Sequence, residues 1–72
     1  MWDALEIRKM RSGKGYFSVP DVVRALAKRG INLTPQAVRN KEHGRSPFTA
    51  VEIKALAEMY GISIVEAFEI FT

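Results

Sequence analysis

The stretch that decides the fold of this 72-residue chain is residues 34–47, TPQAVRNKEHGRSP. Thr34 predicts a helix N-cap, and Pro35 suits the first helical position, where its missing N–H does no harm. Gly44 predicts the end of the helix. Val38 is its single strongly apolar anchor, so the helix has little apolar surface to bury. Such a helix is either weakly held or presented for contact.

Four further helices are predicted from start and stop signals on either side. The first precedes the flexible residues 12–15, and the second has a proline and an aspartate in its first turn. Residues 49–52 and 63–66 both fit the capping box. The segment 59–71 is rich in strand-formers, but the second capping box and a glycine break favour helices. The expected elements run over about 2–11, from Ser18 to Gly30, from Thr34 to Gly44, from Thr49, and from Ser63.

The last two helices are expected to build most of the core. Their apolar positions follow helical spacing. One stripe is Ile53, Leu56, Ala57 and Tyr60, and the other is Ile64, Val65 and Phe68. Further core candidates are Trp2, Phe48, Phe68, Ile70 and Phe71.

Length and composition limit the class of protein. A chain of 72 residues with 47% hydrophobic content builds one small core, so residues 1–72 are expected to form a single all-α domain. The chain contains no cysteine, so helix packing must stabilise it without disulfides or thiolate metal sites. No apolar run approaches the ~20 residues of a membrane span, and the charged N-terminus differs from a signal peptide. We therefore expect a cytoplasmic protein with no membrane partner.

Charge is distributed unevenly along the chain. Residues 1–45 hold ten Lys and Arg against four acidic residues, whereas residues 46–72 hold one Lys against four Glu. The basic part is a candidate surface for a polyanion. A solvated charged exterior is the alternative, and charge alone does not separate the two.

Catalytic chemistry has little support in the sequence. The one histidine, His43, has no cysteine or second histidine to share a metal with, and residues 13–15, GKG, are too short for a phosphate-binding loop. No enzyme motif is present. We expect no catalytic residues, no metal and no cofactor.

The helix after Thr34 carries a polar face instead. Gln36, Arg39 and Asn40 share or border one side by the three-to-four spacing, with Val38 and Glu42 on another. Gln, Arg and Asn make paired hydrogen bonds to adenine or guanine in the major groove of DNA. The same residue types are also common on solvated surfaces, so this pattern alone leaves both interpretations open.

The order of these pieces resembles the helix-turn-helix family of phage repressors and Cro proteins, which includes small Xre-like regulators. Residues 7–18 look like the family's first helix and the entry to its second. Residues 34–47 look like its recognition helix, with the Glu-x-Gly ending followed by a proline, and residues 56–63, LAEMYGIS, resemble the joint between its fourth and fifth helices. The resemblance covers nearly the whole chain.

The resemblance implies a compact five-helix, lambda-repressor-like domain. It implies a structural ion pair between Arg11 and Glu42, which ties helix 1 to the end of the recognition helix. The base-facing candidates are Thr34, Pro35, Gln36, Arg39 and Asn40. The phosphate-contact candidates are Lys14, Tyr16, Arg24, Lys41, His43, Arg45 and Ser46.

Three features depart from the family pattern. Residues 27–33 make the connection before Thr34 about one helical turn longer than the usual tight turn. Pro35 stands where a base-reading side chain is common, and it offers only an apolar contact. Lys41 replaces a large apolar residue, so its stem is expected to cover the core while its ammonium reaches outward.

Two functions follow from these expectations. The leading one is a phage-type transcription regulator, acting in a bacterial host cell, that binds a double-stranded DNA operator with the helix starting at Thr34. The alternative is an antirepressor that binds a phage repressor's DNA-binding domain through the same surface. An apolar patch of Phe68, Ile70 and Phe71 is a candidate for weak pairing of two copies.

Overall fold

The computed structural model describes residues 4–16 and 18–71. These residues form five α-helices, and no strand occurs among them, so the all-α prediction is confirmed. The predicted start of the first helix, and the core candidate Trp2, lie outside the described residues. The helices are α1 (Ala4–Gly13), α2 (Val19–Ala27), α3 (Pro35–Glu42), α4 (Ala50–Tyr60) and α5 (Ile64–Phe71).

The helix starts follow the predicted caps. Ser18 and Asp21 form a capping box at α2, in which each side chain accepts the other residue's backbone N–H. Thr49 and Glu52 form the same reciprocal pair at α4. At α5 half of the predicted capping box is present, since the Ser63 hydroxyl accepts the N–H of Glu66 at 3.1 Å. Each cap satisfies donors that an isolated helix end leaves open.

The core is centred on α4. Ile53, Leu56, Ala57 and Tyr60 are at most 5% exposed, which confirms the predicted stripe. The Tyr60 ring stacks on Phe71 of α5 at 6.2 Å and meets the ring of Tyr16 edge-on at 5.6 Å. Every helix of the described part contributes to this one cluster, α1 through Ile7.

The predicted apolar stripe of α5 is wrong. Ile64, Val65 and Phe68 are 44%, 65% and 38% exposed, whereas Ala67 and Phe71 are fully buried. The segment has apolar residues on several sides, so its periodicity does not select one face. Packing against α4 selects the face of Ala67 and Phe71, which lie four residues apart.

The connection between α2 and α3 is long but anchored. Seven residues, 28–34, separate the two helices. Gly30 has a φ of +80°, which confirms the predicted stop, and the next N–H, that of Ile31, reaches back to the carbonyl of Leu26. Ile31 and Leu33 then pack against the core. The longer connection is therefore packed on the core, and α2 and α3 still contact each other.

Candidate nucleic-acid interface

Helix α3 is held to the protein by its inner face. Thr34 caps it, accepting the N–H of Ala37 at 3.1 Å, and Pro35 follows at the first helical position. Val38 is completely buried and Glu42 is 7% exposed. These two residues lie one helical turn apart, so they fix both the position and the rotation of the helix.

The outer face of α3 is polar. Gln36, Arg39 and His43 are exposed, as are Thr34 and Pro35 at its start, while Asn40 is partly buried. The Gln36 amide donates to the Asn40 side-chain oxygen at 3.1 Å. The bond uses the amino group of Gln36 and the oxygen of Asn40, so the other amide atoms of the two side chains are an acceptor on Gln36 and a donor on Asn40. Paired donor and acceptor groups are what a base edge in the major groove requires.

The expected ion pair between Arg11 and Glu42 is formed. Arg11 Nε lies 3.1 Å from Glu42 Oε2, and the side chains are 6% and 9% exposed. Arg11 Nε–H has no well-aligned acceptor within the described residues, so charge more than hydrogen-bond direction sets this contact. Arg11 Nη1 also donates to the carbonyl of Tyr16 at 3.2 Å. Burial raises the pKa of Glu42, and the nearby Arg11 charge opposes that rise.

The end of α3 turns sharply at Gly44. Gly44 has a φ of +76°, a conformation that disfavours side chains with a Cβ. Its N–H bonds to the Lys41 carbonyl at 3.2 Å, and the Arg45 N–H bonds to the Asn40 carbonyl at 2.8 Å. This is the Schellman arrangement. It sends exposed Arg45 and partly buried Ser46 along the surface beside the last turn of α3.

Lys41 does not fit the predicted phosphate-contact role. Its side chain is 14% exposed, and its ammonium lies 2.7 Å from Glu52 and 3.2 Å from the Pro47 carbonyl. The ammonium also lies 5.7 Å from the centre of the buried Phe48 ring. However, the ammonium points to protein acceptors and not to solvent, because a partly buried charge is costly without partners.

A basic cleft lies between α1, the start of α2 and the outer side of α3. Its volume is about 190 Å³. Three arginines against one glutamate give it a positive balance, which favours anions. The lining residues of this cleft, called here the α1–α3 cleft, are Arg8, Arg11, Ser18, Val19, Arg39, Glu42 and His43.

Arg8 and the start of α2 were not among the predicted site residues. Arg8 precedes Arg11 by three positions, so helical spacing places the two on one side of α1. That spacing was the available signal for Arg8. The implied Arg11–Glu42 pair predicts that this side of α1 meets the end of α3, whereas the shared cleft of Arg8 and Arg39 depends on tertiary packing.

A second basic groove, of about 360 Å³, lies on the other flank of α2. Arg24 pairs with Asp21 there and keeps a side chain that is 67% exposed. With about 3.6 residues per turn, Val19 and Arg24 lie on opposite flanks of α2, so this groove faces away from the α1–α3 cleft. Lys28 and Arg29 are additional cations that the prediction missed. The lining residues are Gly15, Tyr16, Asp21, Arg24, Ala25, Lys28 and Arg29.

The phosphate-contact candidates therefore fall into separate groups. Tyr16 and Arg24 line the groove on α2, and exposed Lys14 lies in the loop that leads into it. His43 lines the α1–α3 cleft, with Arg45 and Ser46 in the segment that follows. Only the second group adjoins the outer face of α3.

The three residues of the candidate pairing patch differ in exposure. Phe71 is 2% exposed and belongs to the core, where its ring meets Phe48 edge-on at 5.3 Å, so it is not available to a second copy. Ile70 is partly buried and Phe68 is 38% exposed. The exposed apolar residues of α5 are instead Ile64, Val65 and Phe68.

In the described ranges, no helix is long and apolar enough to cross a membrane, and no three acidic or histidine side chains are grouped to hold a metal ion. The chain matches no protein-family model, and comparisons with curated proteins and with solved structures also give no match. The residues and their arrangement are therefore the basis for assigning a function.

Proposed function

We propose that this chain is a lambda-repressor-like helix-turn-helix regulator that binds double-stranded DNA with α3 in the major groove. One observation carries the proposal: Val38 and Glu42 bury the inner face of α3, while Gln36, Arg39 and Asn40 form a polar outer face. A short helix with this division presents its side chains to a partner. Their residue types are those that read base edges.

The basic side chains around α3 also favour DNA as its partner. Arg8 lines the α1–α3 cleft together with Arg39, and exposed Arg45 follows the end of α3. Such cations contact phosphates, which positions a protein on DNA without reading its sequence. The proposed division of roles is reading by Gln36, Arg39 and Asn40, and positioning by the surrounding basic side chains.

Regulation would follow from occupancy. The described part of the chain packs around one core, and a bound domain of this size covers part of a promoter and excludes other proteins from it. The source that fits this proposal is a phage or a prophage-like element in a bacterial host. The proposed place of action is the cytoplasm of that host.

The proposal is tested by selecting duplexes from a randomised DNA library and measuring affinity for the selected sequence by fluorescence anisotropy. Gln36→Ala and Arg39→Ala should each weaken specific binding about 10- to 100-fold, the usual effect of losing a base contact. Arg45→Ala should lower the slope of log affinity against log salt by about 0.9, the value of one phosphate contact. Lys54→Ala is the matched control, since it removes an exposed cation from α4.

Two results would contradict the proposal. One is a failure to enrich any duplex, and the other is unchanged specificity in both Gln36→Ala and Arg39→Ala.

The antirepressor hypothesis makes a different prediction for the same face. If the chain binds no DNA alone but removes a repressor from its operator, and Arg39→Ala abolishes that effect, α3 recognises protein.

A further inference from the structure

The side chain of Lys41 connects two helices across the loop that joins them. Lys41 belongs to the last turn of α3, and its ammonium lies 2.7 Å from Oε1 of Glu52, in the first turn of α4. The same ammonium donates to the Pro47 carbonyl at 3.2 Å. The two charged side chains are 14% and 9% exposed, so solvent screens their attraction only weakly.

Glu52 completes the connection from the other side. Its Oε1 accepts both the Lys41 ammonium and the backbone N–H of Thr49, at 2.7 Å and 2.8 Å. Thr49 in turn accepts the N–H of Glu52 at 3.2 Å. One carboxylate oxygen therefore joins the end of α3 to the cap of α4.

The loop between these helices is consequently held at both ends. At its start, the Gly44 turn fixes the direction of the chain through the bond from Arg45 N–H to the Asn40 carbonyl. At its end, Pro47 and Thr49 are bound to the Lys41 and Glu52 pair. Arg45 lies at the first fixed point, and Ser46 lies between the two.

An apolar residue at position 41 would not produce this arrangement. It would cover the Phe48 ring, but it has no donor for the Pro47 carbonyl or for Glu52. Burying a charged pair contributes little stability compared with apolar packing, so stability alone does not account for a lysine here. The lysine is explained by its directional hydrogen bonds to Pro47 and Glu52, which set the path of the loop between α3 and α4.

We propose that Lys41 is a positioning residue for DNA binding: without contacting DNA, it fixes the loop so that Arg45 and Ser46 meet a phosphate while α3 occupies the groove. This inference rests on the proposed function. It assigns to Lys41 a role that acts through Arg45.

The test is a double-mutant cycle on binding to the selected duplex, measured over a series of salt concentrations. Lys41→Met keeps an unbranched side chain over Phe48 but lacks the ammonium, and Arg45→Ala removes the proposed contact. Each single variant should lose about tenfold in affinity, as expected for one charge-assisted hydrogen bond, and about 0.9 in salt slope. The double variant should be no weaker than either single variant.

Two controls separate positioning from loss of fold. Lys41→Arg can still donate to Glu52 and should recover most of the lost affinity, whereas Lys54→Met, an exposed lysine of α4, should bind like the parent protein. Urea denaturation of every variant establishes that it is folded under the binding conditions. Amide hydrogen exchange of Gly44, Arg45, Ser46 and Phe48 should be faster in Lys41→Met than in the parent, whether or not DNA is present.

Several outcomes would overturn the inference. Additive losses in the double variant would mean that Lys41 acts independently of Arg45, and full affinity of a folded Lys41→Met would mean that it does not act at all. A parent protein that enriches no duplex would instead refute the proposed function, and the role of Lys41 in DNA binding with it. The exchange measurement would then still report whether Lys41 orders the loop.

Discussion

The guanidinium of Arg11 and the carboxylate of Glu42 form an ion pair at 3.1 Å between α1 and the end of α3, with both side chains more than nine-tenths buried. Arg11 also binds the carbonyl of Tyr16. One arginine therefore connects the first helix, the loop after it and the end of the presented helix. Removing it leaves a buried carboxylate without its partner, which is the costly way to break such a pair.

Arg11→Met should lower the free energy of unfolding by about 3 kcal/mol at pH 7. Burial raises the pKa of Glu42 above its ordinary value of 4.5, and the pKa should rise further once the Arg11 charge is gone. A group with a raised folded-state pKa loses its contribution to stability as pH rises through that pKa. Urea denaturation should therefore show a larger loss of unfolding free energy in Arg11→Met at pH 7 than near pH 4.5. Arg8→Met, an exposed neighbour on α1, is the control; equal stability of the two variants would contradict the prediction.

Glu52→Gln should cost about 1 kcal/mol at pH 7, because the hydrogen bonds from Lys41 and Thr49 lose the negative charge of their acceptor. Burial raises the pKa of Glu52, but those hydrogen bonds outweigh burial and lower it below 4.5. The stability that ionised Glu52 contributes is therefore present above pH 4.5 and lost as pH falls through the lowered pKa. Denaturation midpoints of parent and variant should converge in acid. Glu58→Gln, an exposed acid of the same helix, should show no such convergence.

Val38→Ala should cost roughly 2 kcal/mol, since it removes buried methyl groups from a completely buried site and leaves a cavity. Val38 is the only apolar residue of α3 that is fully buried among those described, so amide exchange should increase most in α3. Val51→Ala makes the same change on α4 at a position that is 68% exposed, and it should alter stability by less than about 0.5 kcal/mol. Uniform loss of protection across all helices would argue against Val38 as a local anchor.

The face of α5 is tested by placing one charge on either side of the helix. Ala67→Asp should destabilise the protein by at least about 3 kcal/mol, because it buries a carboxylate at a position with no exposure. Val65→Asp, at 65% exposure, should change stability by about 0.5 kcal/mol or less. Thermal unfolding followed by circular dichroism distinguishes these outcomes, and a reversed order would restore the stripe expected from the sequence.

Thr34→Ala should cost about 1 kcal/mol by removing the N-cap of α3, whereas Thr34→Ser should retain most of the stability. Urea denaturation measures both variants. If Thr34→Ala were as stable as the parent, the cap would contribute little, and the hydroxyl would be available mainly to a partner.

Local signals in the sequence predicted the caps and turns of α2, α3 and α4, whereas α1 runs to Gly13, two residues beyond its predicted end. The caps at Ser18, Thr34 and Thr49, and the turns at Gly30 and Gly44, involve hydrogen bonds between residues at most five positions apart. Such bonds form from the chain's own neighbours, so residue type and spacing predict them. The division of α3 into an inner and an outer face is likewise predicted by its sequence, because the helix contains few apolar residues.

Tertiary structure alone decided which groups meet. The apolar residues of α5 allow more than one buried face, and contact with α4 selects Ala67 and Phe71. Arg8 and Arg39, thirty-one positions apart in the chain, line one cleft because α1 packs beside α3. The ammonium of Lys41 was expected to reach outward, but the start of α4 places Glu52 within 2.7 Å of it. Desolvation and charge pairing depend on distances between residues remote in sequence, and the sequence of this protein determined its helices and its presented face but not those distances.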